Sequence, residues 1–331
     1  MAIGTGGCML AGKRPLPLLW IADNWGSLLS TSALFANIFC VALHVYTVRA
    51  GKAVRMSGNV IYDFFMGAAL NPRIADIDLK MLAEIRVSWI TLFMLTCGAA
   101  SKQIERDGHI SGPMLTLVIA HFLYSNACMK GEACVPTTFD IFYEKDGWML
   151  IFWNLTGVPF VYTWNSFYAL YHYAGEKRDT FAWPYYASLI AVLLAAYYVW
   201  DVSQSQRNHF RMWWNKSGES GIERPWAFPK LPWRTLNNPK WIDTEKGKPL
   251  LISGFCGMAR KIHYTMDIIM ALIWGLACGF DSPLPYYYVV FFTSFIAFRA
   301  GRDRKRCAKQ YGKDWEQYEK EVPYVWFPGL I

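Results

Sequence analysis

A series of long apolar runs, separated by loops that carry nearly all of the lysine and arginine, constrains this chain more than any other feature. The runs extend from about Leu28 to Val48, Arg86 to Ala100, Gly112 to Cys128, Gly147 to Tyr171, Phe181 to Trp200, Thr265 to Phe280 and Pro285 to Phe298. A helix that crosses a bilayer needs roughly 20 predominantly apolar residues. Inside lipid, each backbone N–H and C=O must also find its partner within the protein. The expected fold is therefore all-α, a polytopic helical membrane protein with about six to eight helices. Some runs are short or hold Asn154, Asn165, His121 or Asn126, so tilted, broken or half-buried helices are expected among them. Composition agrees, because only 18% of residues are charged, against about a quarter in a soluble domain.

The net charge of +8 does not point to nucleic acid. The positive residues sit beside apolar runs and in two C-terminal segments, a placement that suits cytoplasmic loops, anionic lipid headgroups or a phosphorylated cofactor. The eight cysteines include no CxxC pair, and Cys40, Cys97, Cys128 and Cys278 lie in or at the ends of apolar runs. Neither a disulfide framework nor a bound metal is expected. The N-terminus does not read as a cleavable signal peptide, since Lys13 and Arg14 follow its first weakly apolar stretch.

Beyond Asp201 the chain turns polar, basic and rich in Pro and Trp, up to Arg260, which predicts an ordered loop. Two final spans form a hairpin, so this segment and the tail from Arg302 to Lys320 return to one face. The positive-inside rule makes that face cytoplasmic, and a soluble anionic cofactor would enter there.

Three clusters share that face. Arg207 and Arg211 stand four residues apart, on one side of a helix if the preceding run continues. Two guanidiniums so placed suit a phosphate, because each offers a planar fork of donors. Arg260, Lys261, His263 and Tyr264 open the penultimate run. Asp303 stands among Arg302, Arg304, Lys305 and Arg306, with Tyr311, Trp315 and Tyr318 beyond. A carboxylate in such a cluster stays ionised and can accept ribose hydroxyls or an amide. Taken singly, each cluster also fits plain juxtamembrane charge or a solvated amphipathic helix.

In this order and spacing the three clusters resemble the C-terminal half of the sterol reductases: the C-14, C-7 and C-24(28) reductases and the lamin B receptor. The family's tail pattern is roughly (H/R)RxxRDxxxCxxKYG. Here it reads Phe298, Arg299, Arg302, Asp303, Cys307, Gln310, Tyr311 and Gly312, departing at Phe298 and Gln310. A second pattern, GxxxYDxFxGxxLNPR, is matched at every fixed position by Gly58, Tyr62, Asp63, Phe65, Gly67, Leu70, Asn71, Pro72 and Arg73. ARKIHYT before an apolar helix ending in CGF is most similar to the C-24(28) branch, where the other branches more often carry ARHxNY. The family generally has further spans ahead of the region where this chain starts.

The resemblance implies a single sterol reductase membrane domain over 1–331, with residues 201–331 as its cofactor-binding half. It implies NADPH, bound on the cytoplasmic side by Arg207, Arg211, Leu251, Cys256, His263, Tyr264, Asp303, the Cys307–Tyr311 stretch and Tyr318. Cys256 departs from the family, which usually has an aromatic there. No GxGxxG follows a strand, so the site is not of the Rossmann type. The implied partners are a sterol and membrane lipids, and the implied location is the endoplasmic reticulum membrane.

The chemistry makes its own demand. An isolated alkene is no electrophile, so hydride cannot add until one carbon is protonated, and the protein must hold an acid in a dry pocket. Candidate acids lie from Tyr124 to Asp146, namely Tyr124, Glu132, Asp140, Tyr143 and Glu144, with Tyr143 and Glu132 placed first; Tyr62 and Asp63 are further candidates. Trp148, Phe152, Trp153, Phe160, Tyr162 and Trp164 are candidates to line the pocket. The competing readings are a C-14 or C-7 reductase, a sterol binder without activity, and a membrane isoprenylcysteine-type methyltransferase. The last usually carries a Glu-Glu pair where this chain has Arg302 and Asp303.

Overall fold

The computed structural model describes residues 18–173, 181–217, 236, 238–246 and 249–330, and these are mostly helical. The chain divides into two compact units, Met1–Thr180 and Phe181–Ile331. The Pro- and Trp-rich segment expected as a loop lies largely outside the described residues.

In the first unit a short helix α1 (Leu18–Asp23) leads into α2 (Trp25–Arg49). Next come α3 (Val60–Met66), a two-residue hairpin of β1 (Arg73–Ile74) and β2 (Ile77–Asp78), and α4 (Leu79–Asp107). Helix α5 (Gly112–Lys130) follows, then α6 (Trp148–Phe152), which passes through a π-helical stretch, Trp153–Val161, towards α7 (Trp164–His172). Local chemistry sets the starts. Asn59 accepts the Tyr62 N–H, Asp78 accepts the Met81 N–H, and Ser111, just before a first turn that holds Pro113, accepts the Met114 N–H. The run expected from Gly147 to Tyr171 is thus one broken helix, with Pro159 inside its π-helical part.

The interior of this bundle is polar at one level. Thr96 on α4 and His121 on α5 meet at 2.6 Å, and the Ser166 hydroxyl on α7 reaches Thr96 at 3.4 Å; all three are fully buried. Against α2, by contrast, Ala36, Cys40 and Ile151 form a small apolar core with Trp148, Phe152 and Leu155.

The first family pattern folds into a junction of backbones. The Asp63 carboxylate accepts the N–H groups of Ser57, at 2.9 and 3.1 Å, and of Gly58, at 3.0 Å. The Ser57 amide foremost holds this carboxyl below the usual carboxylate range. Gly67, at φ +95°, lies so close to Gly147 that a β-carbon would stand 2.5 Å from the Gly147 nitrogen. Only glycine fits there, and the contact lets Asp146 N–H reach Ala69 C=O at 2.8 Å.

In the second unit α8 (Trp183–Ser217) is a single helix well past Asp201. The polar stretch after Trp200 is therefore helical to Ser217, and Arg207 and Arg211 do share one helix. A hairpin of β3 (Trp241–Ile242) and β4 (Leu250–Leu251) precedes α9 (Ile262–Ala277), α10 (Tyr287–Tyr311) and α11 (Lys313–Glu321). Among the described residues, Trp25–Arg49, Leu79–Asp107 and Trp183–Arg211 are long and apolar enough to cross a membrane, and Ile262–Ala277 is a shorter apolar helix.

Candidate functional site

The second unit brings the C-terminal half of α8, the start of α9 and the end of α10 together. Arg207 lies within electrostatic reach of Arg211, Cys256, His263, Tyr264 and Tyr318. Arg211 also senses Tyr311 and Asp303. Leu251, singled out from sequence with them, is uncharged and belongs to the neighbouring hairpin. It is buried in the hairpin whose neighbours, Ile242, Leu250 and Ile252, pack on Cys307, Tyr311, Trp315, Tyr318 and Val322.

Each side chain has an identifiable support. Asp303 receives Lys261 Nζ and, at 2.8 Å, Arg306 Nη2. Burial opposes its ionisation, but these two cations outweigh burial and hold its carboxyl below the usual carboxylate range. Burial raises the thiols of Cys256 and Cys307 and the phenols of Tyr311 and Tyr318, so all four are neutral at physiological pH. Gln206 Oε1 accepts the Phe255 N–H at 3.1 Å and so ties α8 to the segment holding Cys256. This turn needs Gly254, whose φ of +62° is closed to side chains and whose β-carbon would meet that same Gln206 oxygen at 2.4 Å.

The C-terminal residues strap the start of α9. Arg260 and Lys261 donate their backbone N–H groups to the carbonyls of Tyr324 and Val325, both at 2.9 Å. The Thr265 hydroxyl donates to Trp326 C=O at 2.6 Å, and the Tyr264 and Trp326 rings lie 6.1 Å apart. Glu319 pairs with Arg260 and with Arg304, the latter at 2.7 Å.

The charges are unequally spent. Among the described residues Lys261 and Arg306 share Asp303, whereas neither Arg207 nor Arg211 makes an ion pair; Arg207 donates only to Gln204, at 3.1 Å. Two guanidiniums without a carboxylate, beside an ionised Asp303 and neutral phenols, fit a ligand with phosphates at one end and hydroxyls at another. Sequence reasoning named Lys261 in its cluster but gave it no role. Its signal is the lone acid in the tail motif, which requires a cation opposite.

The proposed acids belong to the first unit. Glu132 is ion-paired with Arg86. Tyr143 is half exposed, with the Arg55 guanidinium 4.5 Å from its ring centre and bonded to its carbonyl. Tyr124 packs on Trp89 at 4.7 Å, and Glu144 is buried. Asp63, whose two oxygens accept the N–H groups of Ser57 and Gly58, is an acceptor rather than an acid. Asp146, which sequence reasoning left out, is buried and its carboxyl is pushed up to about 7, first by desolvation. Of the aromatic candidates, Trp148 stacks on Phe152 at 4.8 Å and Trp153 donates to the Tyr162 hydroxyl at 3.0 Å.

The chain matches the ergosterol biosynthesis ERG4/ERG24 family over residues 3–331. It is 44% identical over 318 residues to the Delta(24(24(1)))-sterol reductase erg4A of Aspergillus fumigatus, across 95% of this chain and 65% of that relative. It is also 44% identical to the Delta(24(24(1)))-sterol reductase of Gibberella zeae, across 95% of this chain and 52% of the relative. With the Delta(14)-sterol reductase of Methylotuvimicrobium alcaliphilum it shares 35% identity, across 93% and 67%. The chain thus spans between half and two thirds of the length of these two fungal relatives.

Proposed function

The chain belongs to the ergosterol biosynthesis ERG4/ERG24 family, and from that premise we propose that it reduces a sterol carbon–carbon double bond, the C-24(28) bond, at the expense of NADPH. The observation that carries this reading is the gathering of Arg207, Arg211, His263, Tyr264, Asp303 and Tyr318, two of its guanidiniums without an ion pair among the described residues. The 44% identity to two Delta(24(24(1)))-sterol reductases supports the choice of bond over the C-14 alternative, where identity is 35%.

Arg207 and Arg211 bind the phosphates in this reading. Asp303, kept ionised by Lys261 and Arg306, accepts ribose or amide donors. Tyr311 and Tyr318 supply the flat contacts and Leu251, on the neighbouring hairpin, an apolar one, with Cys256 standing where an aromatic would extend them. When bound, NADPH supplies the hydride. The chain's own task is the proton: an acid on the 132–146 segment protonates one alkene carbon, and we assign that role to Tyr143, with Glu132 as the second choice. A half-exposed Tyr143 has to be covered by sterol before it works in a dry site. The setting is the endoplasmic reticulum membrane, with the basic segments on the cytoplasmic side.

The test is NADPH oxidation by the purified chain in lipid vesicles, with a 24(28)-unsaturated sterol and, separately, a 14-unsaturated sterol. Turnover with the first alone supports the proposal. Turnover with the second alone reassigns the bond, and binding of sterol without oxidation makes the chain a binder.

A further inference from the structure

Lys80 is fully buried at the start of α4. Its ammonium donates to four oxygens: Leu70 C=O at 3.1 Å, Asn71 Oδ1 at 3.2 Å, Ile141 C=O at 3.2 Å and Glu144 C=O at 2.6 Å. A buried lysine normally pairs with a carboxylate or sheds its proton. Here no carboxylate bonds it among the described residues, although Asp146, Glu84, Asp140 and Asp78 surround it electrostatically. An ammonium has three N–H donors and no acceptor, so the four oxygen neighbours offer an acceptor to every one of them.

The oxygens belong to two stretches far apart in sequence. Leu70 and Asn71 close the first family pattern, and Ile141 and Glu144 flank Tyr143. The same two stretches are stitched twice more, by the Asp146 N–H on Ala69 C=O and by the Gly67–Gly147 contact. Arg55, itself at φ +51°, bonds the Tyr143 carbonyl, and Lys145 Nζ bonds the Arg55 carbonyl at 3.1 Å. A non-glycine residue held at positive φ persists only where its surroundings over-determine it. The backbone on both sides of Tyr143 is therefore held by Lys80, and its own carbonyl by Arg55. Neither contact uses the Tyr143 hydroxyl.

We propose that Lys80 is a positioning residue for the reaction: its ammonium fixes the backbone of 141–146 against the Asn71 loop and thereby sets where the acid segment presents its side chains. The kinetic part of this rests on the reductase reading; the positional part does not. Lys80 is fully buried and lies in the first unit, whereas the proposed cofactor residues lie in the second, so its loss alters the proton step and leaves NADPH binding alone.

The experiment uses the full chain in phosphatidylcholine vesicles with the substitution Lys80→Met, which keeps an unbranched apolar stem and removes every donor. The expected result is a kcat for the 24(28)-unsaturated sterol reduced about 100-fold, as for a small misplacement of a reacting group. KM for sterol and the Kd for NADPH stay within about twofold, and amide exchange rises about tenfold or more in 141–147 while 241–330 is unchanged. A kcat within about threefold of the parent overturns the proposal. So does a loss of NADPH binding with faster exchange throughout, which makes Lys80 a general fold residue. If Lys80→Met does not insert, Asn71→Ala decides, since it removes one acceptor only: kcat down about fivefold with exchange confined to 141–147 supports the proposal, and no change overturns it. If the parent chain turns over no sterol, the reductase reading fails, and exchange in 141–147 alone then sustains or overturns the positional role.

Discussion

Single charges decide how this chain behaves. Arg207 and Arg211 make no ion pair among the described residues, so each is free to meet a phosphate. A charged hydrogen bond contributes about 1.5–3 kcal/mol. Arg211→Ala is therefore expected to raise the Kd for NADPH about 10- to 100-fold, read by fluorescence titration of the full chain. Asp303 gives the opposite lesson. Its folded carboxyl is depressed by Lys261 and Arg306, so the stability it contributes is present above the unfolded value of about 3.9 and lost as pH falls towards the folded one. Asp303 stays ionised between about pH 5 and pH 8, so its titration should leave NADPH binding unchanged there, and Asp303→Asn should weaken binding at every pH in that range. Asp146 runs the other way. Its folded carboxyl is raised to about 7 by burial, so the stability linked to its proton is full below about 3.9 and is lost as pH rises through 7. Thermal unfolding of Asp146→Asn and the parent, compared at pH 5.5 and pH 8, should show the variant gaining relative stability at the higher pH; an equal difference at both would contradict the raised value.

Elements place those charges. Helix α8 carries Arg207 and Arg211 because it runs unbroken from Trp183 to Ser217, although the apolar pattern stops near Trp200. Nothing in the apolar periodicity announces that extension, whose side chains are mostly polar and whose Gln206 accepts the Phe255 N–H. At the other end of the chain, the strap after Val322 is made of backbone and hydroxyl bonds to Arg260, Lys261 and Thr265. Thr265→Val keeps the shape and removes one such bond, and the cost is about 1 kcal/mol. It should raise the NADPH Kd about fivefold by loosening the start of α9, with the sterol KM unchanged. Gly67 is less forgiving. With φ at +95° and the Gly147 nitrogen 2.5 Å from its would-be β-carbon, Gly67→Ala has no side chain it can push aside. The membrane-inserted yield of this variant should collapse, whereas Gly26→Ala, with open space around its position, should express as the parent does.

Across the whole molecule, what the sequence made legible follows from which physics leaves a linear trace. Lipid exposure does, so the apolar runs marked the helices. Charge clusters at fixed spacing do as well, and the structure gathers Arg207, Arg211, His263, Tyr264, Asp303 and Tyr318 as their order along the chain suggested. Long-range backbone contacts leave almost none. The Lys80 ammonium bonds Ile141 and Glu144 across some 60 positions, and nothing near Lys80 in the sequence distinguishes it from a residue at the membrane surface. Asp63 misleads in the same way: a carboxylate in a shared pattern suggests chemistry, yet it holds the turn at Ser57 and Gly58. The proposed cofactor residues lie in one unit of the chain and the proposed acids in the other, so the two proposed roles can be tested by separate variants. One measurement tests the reductase reading most directly: the sterol profile, by gas chromatography and mass spectrometry, of yeast that lacks its own C-24(28) reductase and expresses this chain. The expected result is disappearance of the 24(28)-unsaturated sterol and return of ergosterol. An unchanged profile, with the protein present in the membranes and binding NADPH, would contradict it.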